Sequence, residues 1–125
     1  MNVREIKFRA WDKSRKEMEY INNMYWFEEN GVDDINNNVF LDFMQYTGIK
    51  DKNGKEIYEG DAVSTDLSRP YLIVVFRNGA FMYQCHHNNQ DYYDHMEPAF
   101  SDEVESTKFH EVIGNIYENP ELINS

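Results

Sequence analysis

The residues that most constrain the fold are an apolar run and the asparagine–glycine pair that follows it, YLIVVFRNGAFMYQ at positions 71–84. Residues 71–76 are rich in β-branched and aromatic side chains, which favour strands, and residues 80–84 resume that composition. A two-residue hairpin turn requires positive φ at both central positions, which asparagine and glycine adopt most readily. The segment therefore predicts a β-hairpin with Asn78 and Gly79 at its turn.

A second hairpin is predicted near the N-terminus from period-two alternation. Ile6, Phe8 and Ala10 fall on one face of residues 6–11, while Lys7 and Arg9 fall on the other. A polar turn follows, and residues 17–21 read as the returning strand. We expect the face that carries Lys7 and Arg9 to meet solvent.

The remaining segments predict short strands and little helix. Residues 39–47 and 109–117 are β-like, and Gly114 is expected to bend or bulge the later strand. Residues 22–38 predict an irregular excursion with a helical turn near Trp26, and 86–102 a polar segment. Proline after asparagine at 119–120 is typical of a helix start.

The most densely patterned stretch is QYTGIKDKNGKEIYEGDAV at 45–63, which we call the central turn segment. It predicts two consecutive turns, with glycine where the backbone needs positive φ and an aspartate able to accept backbone N–H bonds. It contains no GxxxxGK[ST] or GxGxxG pattern and no following helix signal, so we interpret it as structural rather than as a phosphate loop. The predicted turn positions here are Gly48, Asn53, Gly54, Gly60 and Asp61.

Length and composition favour one small β domain over residues 1–125. A chain of 125 residues with 41% hydrophobic and 15% aromatic side chains is long enough and apolar enough to bury a core. Short strands joined by tight turns protect their edges best by closing on themselves. We therefore predict a mainly β fold, a small, partly open barrel or roll with an N-terminal hairpin.

The charge balance bears on partners. Twelve basic residues against 23 acidic ones give a formal charge of −11, which opposes direct binding to a phosphate backbone and favours a basic protein partner or a cation. One alternative is a small nucleic-acid contact at the N-terminal hairpin, where Lys7 and Arg9 lie near Trp11. Another is an acidic mimic of nucleic acid.

Cysteine use and hydropathy indicate the compartment. The single cysteine, Cys85, cannot form an intramolecular disulfide and fits a reducing environment. The N-terminal residues lack the apolar core of a signal peptide, and no apolar run approaches the length of a membrane span. We expect a cytoplasmic protein that does not enter membranes.

One cluster of metal-binding residue types lies between Cys85 and His95. If the segment folds back, His87 and His95 could meet, with Asp91 or Asp94 as a third ligand. The spacing matches neither paired CxxC nor HExxH, and we interpret the segment as a polar surface loop with incidental histidines. We predict no metal, no cofactor and no catalytic residues, and keep a metal-dependent enzyme at His87, Asp91 and His95 as an alternative.

Three stretches, in order and at consistent spacing, resemble the YopX family of phage and prophage proteins. They are IKFRAWDKSRKEM at 6–18, MQYTGIKDKNGKEIYEGD at 44–61 and VIGNIYENPEL at 112–122. The resemblance implies a mainly β fold with an SH3-like barrel element and a gene carried by a phage or an integrated element. It implies no catalytic mechanism. Our leading hypothesis is a non-enzymatic accessory protein, encoded by a phage or prophage, that binds an unidentified protein or forms a homo-oligomer.

Overall fold

The structure is a computed structural model that describes residues 6–21, 25–29, 40–65, 71–87, 90–96 and 110–122. Its elements, in chain order, are strands β1 (Phe8–Asp12) and β2 (Glu17–Ile21), helix α1 (Tyr25–Glu29), strands β3 (Leu41–Lys50), β4 (Glu56–Tyr58), β5 (Asp61–Thr65), β6 (Leu72–Arg77), β7 (Ala80–His87), β8 (Gln90–His95) and β9 (His110–Asn115), and a 3₁₀ turn at Pro120–Leu122.

These strands form two antiparallel sheets. The first has four strands in the order β2-β1-β3-β4, and the second has five in the order β8-β7-β6-β5-β9. The predicted fold class is confirmed: the chain is mainly β, with a curled half-barrel sheet, a second sheet, an N-terminal hairpin and one short helix. Apart from α1, most of the predicted excursion over 22–38 lies outside the described residues. No helix among the described residues is long and apolar enough to cross a membrane.

The N-terminal hairpin forms as predicted, but the face of β1 that carries Arg9 is not the solvent-exposed face that we expected. β1 pairs with β2 on one side and with β3 on the other, so it is an interior strand of its sheet. Arg9, which the alternation assigned to solvent, is buried, as is Ala10 on the opposite face. The expectation for Arg9 was wrong because alternation cannot show that a second layer covers the polar face and supplies a counter-charge.

The asparagine–glycine hairpin joins β6 to β7. Arg77 lies opposite Ala80, and the two residues between them, Asn78 and Gly79, have φ values of 53° and 79°. Positive φ at both positions is what a type I′ turn requires, and its twist matches that of the flanking strands.

The segment after this hairpin differs from the sequence-based expectation. Residues 86–102 read as a polar segment, whereas β7 continues to His87 and β8 occupies Gln90–His95. The strand was missed because its side chains do not alternate between apolar and polar types, which is the signal of a half-buried strand. Residues 97–102 lie outside the described residues.

β9 returns to pair with β5 and carries the predicted irregularity. Ala62 lies opposite Gly114 and Val63 opposite Val112, so Ile113 is the extra residue of a bulge. The bulge therefore lies one residue before the glycine that indicated it.

One hydrophobic core lies between the sheets. Two residues come from the first sheet, Ile49 and Ile57, and the others come from the second sheet and the residue after β8. Its buried members among the described residues are Ile49, Ile57, Val63, Val74, Phe81, Tyr83 and Met96. Because both sheets contribute to this core, the position at which the chain passes from β4 to β5 controls how they pack.

Gly60 occupies that passage and gives a testable prediction. Its φ is +89°, and a Cβ there would lie 3.2 Å from the Met44 sulfur. Gly54 has a φ of +82° with nothing within 4 Å of such a Cβ. Positive φ costs a residue with a side chain roughly 1–2 kcal/mol, so Gly54→Ala should lose about that much. Gly60→Ala should lose more, because it also crowds Met44.

Urea unfolding of the two variants and the parent chain measures the difference. The expected result is a lower unfolding free energy for Gly60→Ala than for Gly54→Ala with an unchanged denaturant slope. Equal losses for the two variants would show that the space around Gly60 places no constraint on the packing of the sheets.

Candidate functional site

Two of the three buried charged side chains in the described residues form an ion pair between the two sheets. Arg9 of β1 donates from Nη2 to Asp61 Oδ1 of β5 at 2.8 Å, and the two side chains are 3% and 2% exposed. The same Nη2 donates to the carbonyl oxygen of Glu59 at 3.2 Å. The guanidinium carbon lies 4.8 Å from the centroid of the Tyr58 ring, within the range of a cation–π interaction. Arg9 thus joins β1 to the β4–β5 turn.

Asp61 also closes the turn that precedes it. Its Oδ2 accepts the backbone N–H of Tyr58 at 2.7 Å, so both carboxylate oxygens have partners within the chain. Burial raises the pKa of the Asp61 carboxyl, while the positive charge of Arg9 and the hydrogen bond from Tyr58 offset part of that rise by favouring the ionised form. A carboxylate held in this way fixes the turn and is not presented to a substrate or a metal.

A second buried aspartate, Asp51, organises the earlier turn of the central turn segment. Its Oδ1 accepts the backbone N–H groups of Asn53 and Lys55, each at 2.9 Å. Its Oδ2 accepts the N–H of Val112 at 2.9 Å, and the N–H of Lys52 donates to the carbonyl of His110 at the same distance. The turn therefore covers the outer edge of β9. The sequence predicted the turn but not its hydrogen bonds to β9, because no local pattern shows which strand lies beside a turn.

The turn amides that a bound phosphate would need already donate within the protein. Gly54 N–H donates to the Asp51 carbonyl at 3.0 Å, and Gly60 N–H donates to the Val74 carbonyl at 2.7 Å. Gly48, with a φ of 87°, lies where the β3–β4 register shifts between Tyr46 and Lys50. The turn amides of Gly54 and Gly60 thus have partners within the protein, and the central turn segment connects the two sheets.

The β7–β8 register separates the residues of the metal alternative. His87 lies opposite Gln90 at one end of the hairpin, and His95 lies opposite Met82 at the other. The five-residue offset corresponds to about 17 Å along the strands. The described residues contain no group of three or more metal-ligating side chains.

The N-terminal basic residues do not form one surface. Lys7 Nζ lies 2.6 Å from Glu56 Oε2, Lys13 Nζ lies 3.2 Å from Asp42 Oδ1, and Arg9 is buried. Trp11, proposed to stack on a base, is stacked on Tyr117 with 5.6 Å between ring centroids.

Among the described strands, β8 has the longest run of exposed residues. Gln90, Asp91, Tyr92, Tyr93 and Asp94 are consecutive and all exposed, so both faces of this terminal strand meet solvent. The two tyrosines are 49% and 37% exposed. We refer to the outward side of β8, away from β7, as the β8 edge.

The buried ion pair gives a prediction with a control in the same chain. Asp61→Asn would leave the Arg9 guanidinium buried without a counter-charge, and breaking a buried pair in this way costs about 3–5 kcal/mol. Glu56→Gln breaks the Lys7 pair, whose side chains are 33% and 29% exposed, and should cost at most about 1 kcal/mol. Urea unfolding compares the two, and similar losses would contradict the central role of Asp61.

Comparisons with known proteins agree with this architecture. The crystal structure of protein EF1440 from Enterococcus faecalis is similar, with a TM-score of 0.53 and 26% sequence identity over 97% of this chain and 99% of that chain. A search among curated proteins found no match. The model of the family described as YopX protein matches residues 7–124. That match spans nearly the whole sequence, and the chain therefore belongs to the YopX family.

Proposed function

We propose that this protein is a non-enzymatic accessory protein, encoded by a phage or prophage, that acts by binding another protein or by self-assembly. The phage context comes from the resemblance described above. The observation that carries the binding role is β8, a terminal strand with adjacent tyrosines and solvent on both faces.

The arrangement of charged groups supports binding over catalysis. Catalytic acids and bases need perturbed ionisation together with an open path to a substrate. Within the described residues, the buried charged side chains of Arg9, Asp51 and Asp61 form hydrogen bonds with turns and strands of the same chain. The metal alternative has no assembled ligand set in the described part of the chain, because His87 and His95 lie at opposite ends of their hairpin.

The exposed aromatic side chains support a protein partner. Tyrosine offers a large, rigid contact area with a polar tip, and it is enriched at interfaces and among their energetic hot spots. Tyr92 and Tyr93 point to opposite faces of β8, and Phe76, 51% exposed, packs against Phe81 on the same sheet. A partner that covers β8 would therefore meet aromatic surface on either face.

Two measurements on the full chain test this proposal. Sedimentation velocity over a range of concentrations detects self-assembly, and affinity capture from host lysate detects a partner. We expect at least one of them to be positive. A double variant, Tyr92→Ser with Tyr93→Ser, should weaken that association at least about tenfold.

The matched control is Ile6→Ser, which removes an exposed apolar side chain near the start of β1, in the other sheet. It should leave the association unchanged. A strict monomer at every concentration, with no captured protein that depends on the two tyrosines, would contradict the proposed function.

A further inference from the structure

The β8 edge is a terminal edge of the five-stranded sheet that can accept another strand. A terminal strand presents a row of main-chain N–H and C=O groups, and an extended peptide can pair with them. In the five-stranded sheet the opposite edge, at β9, is covered by Asp51 and Lys52 of the central turn segment. Among the described residues, no strand lies beyond β8.

The hydrogen-bond pattern identifies which groups point outward. Met96 N–H donates to the Phe81 carbonyl at 3.3 Å, which makes that opposed pair a hydrogen-bonded one. Hydrogen-bonded and non-hydrogen-bonded pairs alternate in an antiparallel ladder. Tyr93 and its opposite residue Gln84 are then a non-hydrogen-bonded pair, and the main-chain N–H and C=O of Tyr93 face away from β7.

The side chains of β8 favour a particular kind of strand. Asp91 and Asp94 are exposed and fall on opposite faces, and the whole chain carries a charge of −11. Like charges placed opposite each other across a strand pair are destabilising, whereas opposite charges stabilise it. A basic segment is therefore favoured over a neutral or acidic one, and over a second copy that would bring the same two aspartates and the same net charge.

The tyrosine rings of β8 also favour basic side chains in an added strand, through cation–π contacts. The guanidinium carbon of Arg77 lies 4.0 Å from the centroid of the Tyr93 ring, which shows that an arginine is accommodated over an aromatic ring of β8. Tyr92 lies on the other face and is 49% exposed. A lysine or arginine of an added strand could stack on it in the same way.

We propose that the β8 edge binds a basic, extended segment of a partner protein, which adds to the five-stranded sheet as a sixth strand. Main-chain hydrogen bonds at Tyr93 set the register, while Asp91, Asp94 and Tyr92 select lysine and arginine side chains. This inference rests on the proposed binding function and specifies the mode of binding and the chemistry of the partner.

Fluorescence anisotropy with a labelled peptide of alternating lysine and threonine, long enough to span the six residues of β8, provides the test. We expect the probe to bind the full chain. A matched probe with glutamate in place of lysine should fail to bind. Asp91→Asn combined with Asp94→Asn should weaken binding of the lysine probe by about tenfold and reduce its salt dependence.

A pair of variants at one position isolates the main-chain contribution. Tyr93→Pro and Tyr93→Thr both remove the ring, but only proline removes the outward N–H, and the edge position tolerates it. Tyr93→Pro should weaken probe binding at least about tenfold relative to Tyr93→Thr. If Tyr93→Pro does not fold, a lysine probe N-methylated at alternate residues tests the same hydrogen bonds on the unaltered protein and should bind weakly.

Several results would overturn the inference. The first is that the lysine probe does not bind, or that the glutamate probe binds as well as the lysine probe. The second is that the lysine probe binds equally well to the Tyr93→Pro and Tyr93→Thr variants. The third is self-association that Tyr93→Pro abolishes, since that identifies a second copy of this chain as the occupant of the β8 edge. Failure of the probe while a captured partner still depends on Tyr92 and Tyr93 overturns only this inference. If the lysine probe does not bind and no association depends on Tyr92 and Tyr93, the proposed function is overturned as well.

Discussion

A buried ion pair between Arg9 and Asp61 lies where the chain passes from the first sheet to the second. Both side chains are almost fully buried, and the two residues come from β1 and β5, 52 residues apart in sequence. Arg9 also has a buried Nε with no hydrogen-bond partner in the described residues, so its charge depends on Asp61 and on the face of Tyr58. Burying charge is costly unless the geometry is well satisfied. The turn at Glu59 and Gly60, the entry of β5 and the contact between the sheets therefore depend on one another.

The two edges of the second sheet differ in how far the described residues cover them. At one edge, Asp51 and Lys52 bond to the main chain of β9 and cover it. At the other, β8 has solvent on both faces. Covering a strand edge with a turn is a common way to avoid uncontrolled strand pairing. Among the described residues, β8 is the edge of this sheet that remains uncovered.

Much of the fold could be predicted from local chemistry, and the parts that could not were those set by distant residues. The Asn78–Gly79 hairpin, the two turns around Gly54 and Gly60, and the strand irregularity near Gly114 follow from backbone preferences that act over a few residues. The burial of Arg9 did not follow, because its counter-charge lies in another sheet. β8 did not follow either, since a strand exposed on both faces has no hydrophobic alternation to detect. The candidate site was missed for that same reason.

The most direct test of the central claim is a double-mutant cycle on Arg9→Met and Asp61→Asn, measured as free energies of unfolding. If the two side chains depend on each other, each single variant leaves an unsatisfied buried group, and the double variant relieves that defect. We expect the unfolding free energy lost in the double variant to be smaller than the sum of the two single losses by about 2 kcal/mol or more. Losses that add to within about 0.5 kcal/mol would contradict it, and would mean that the sheets are held together without this pair.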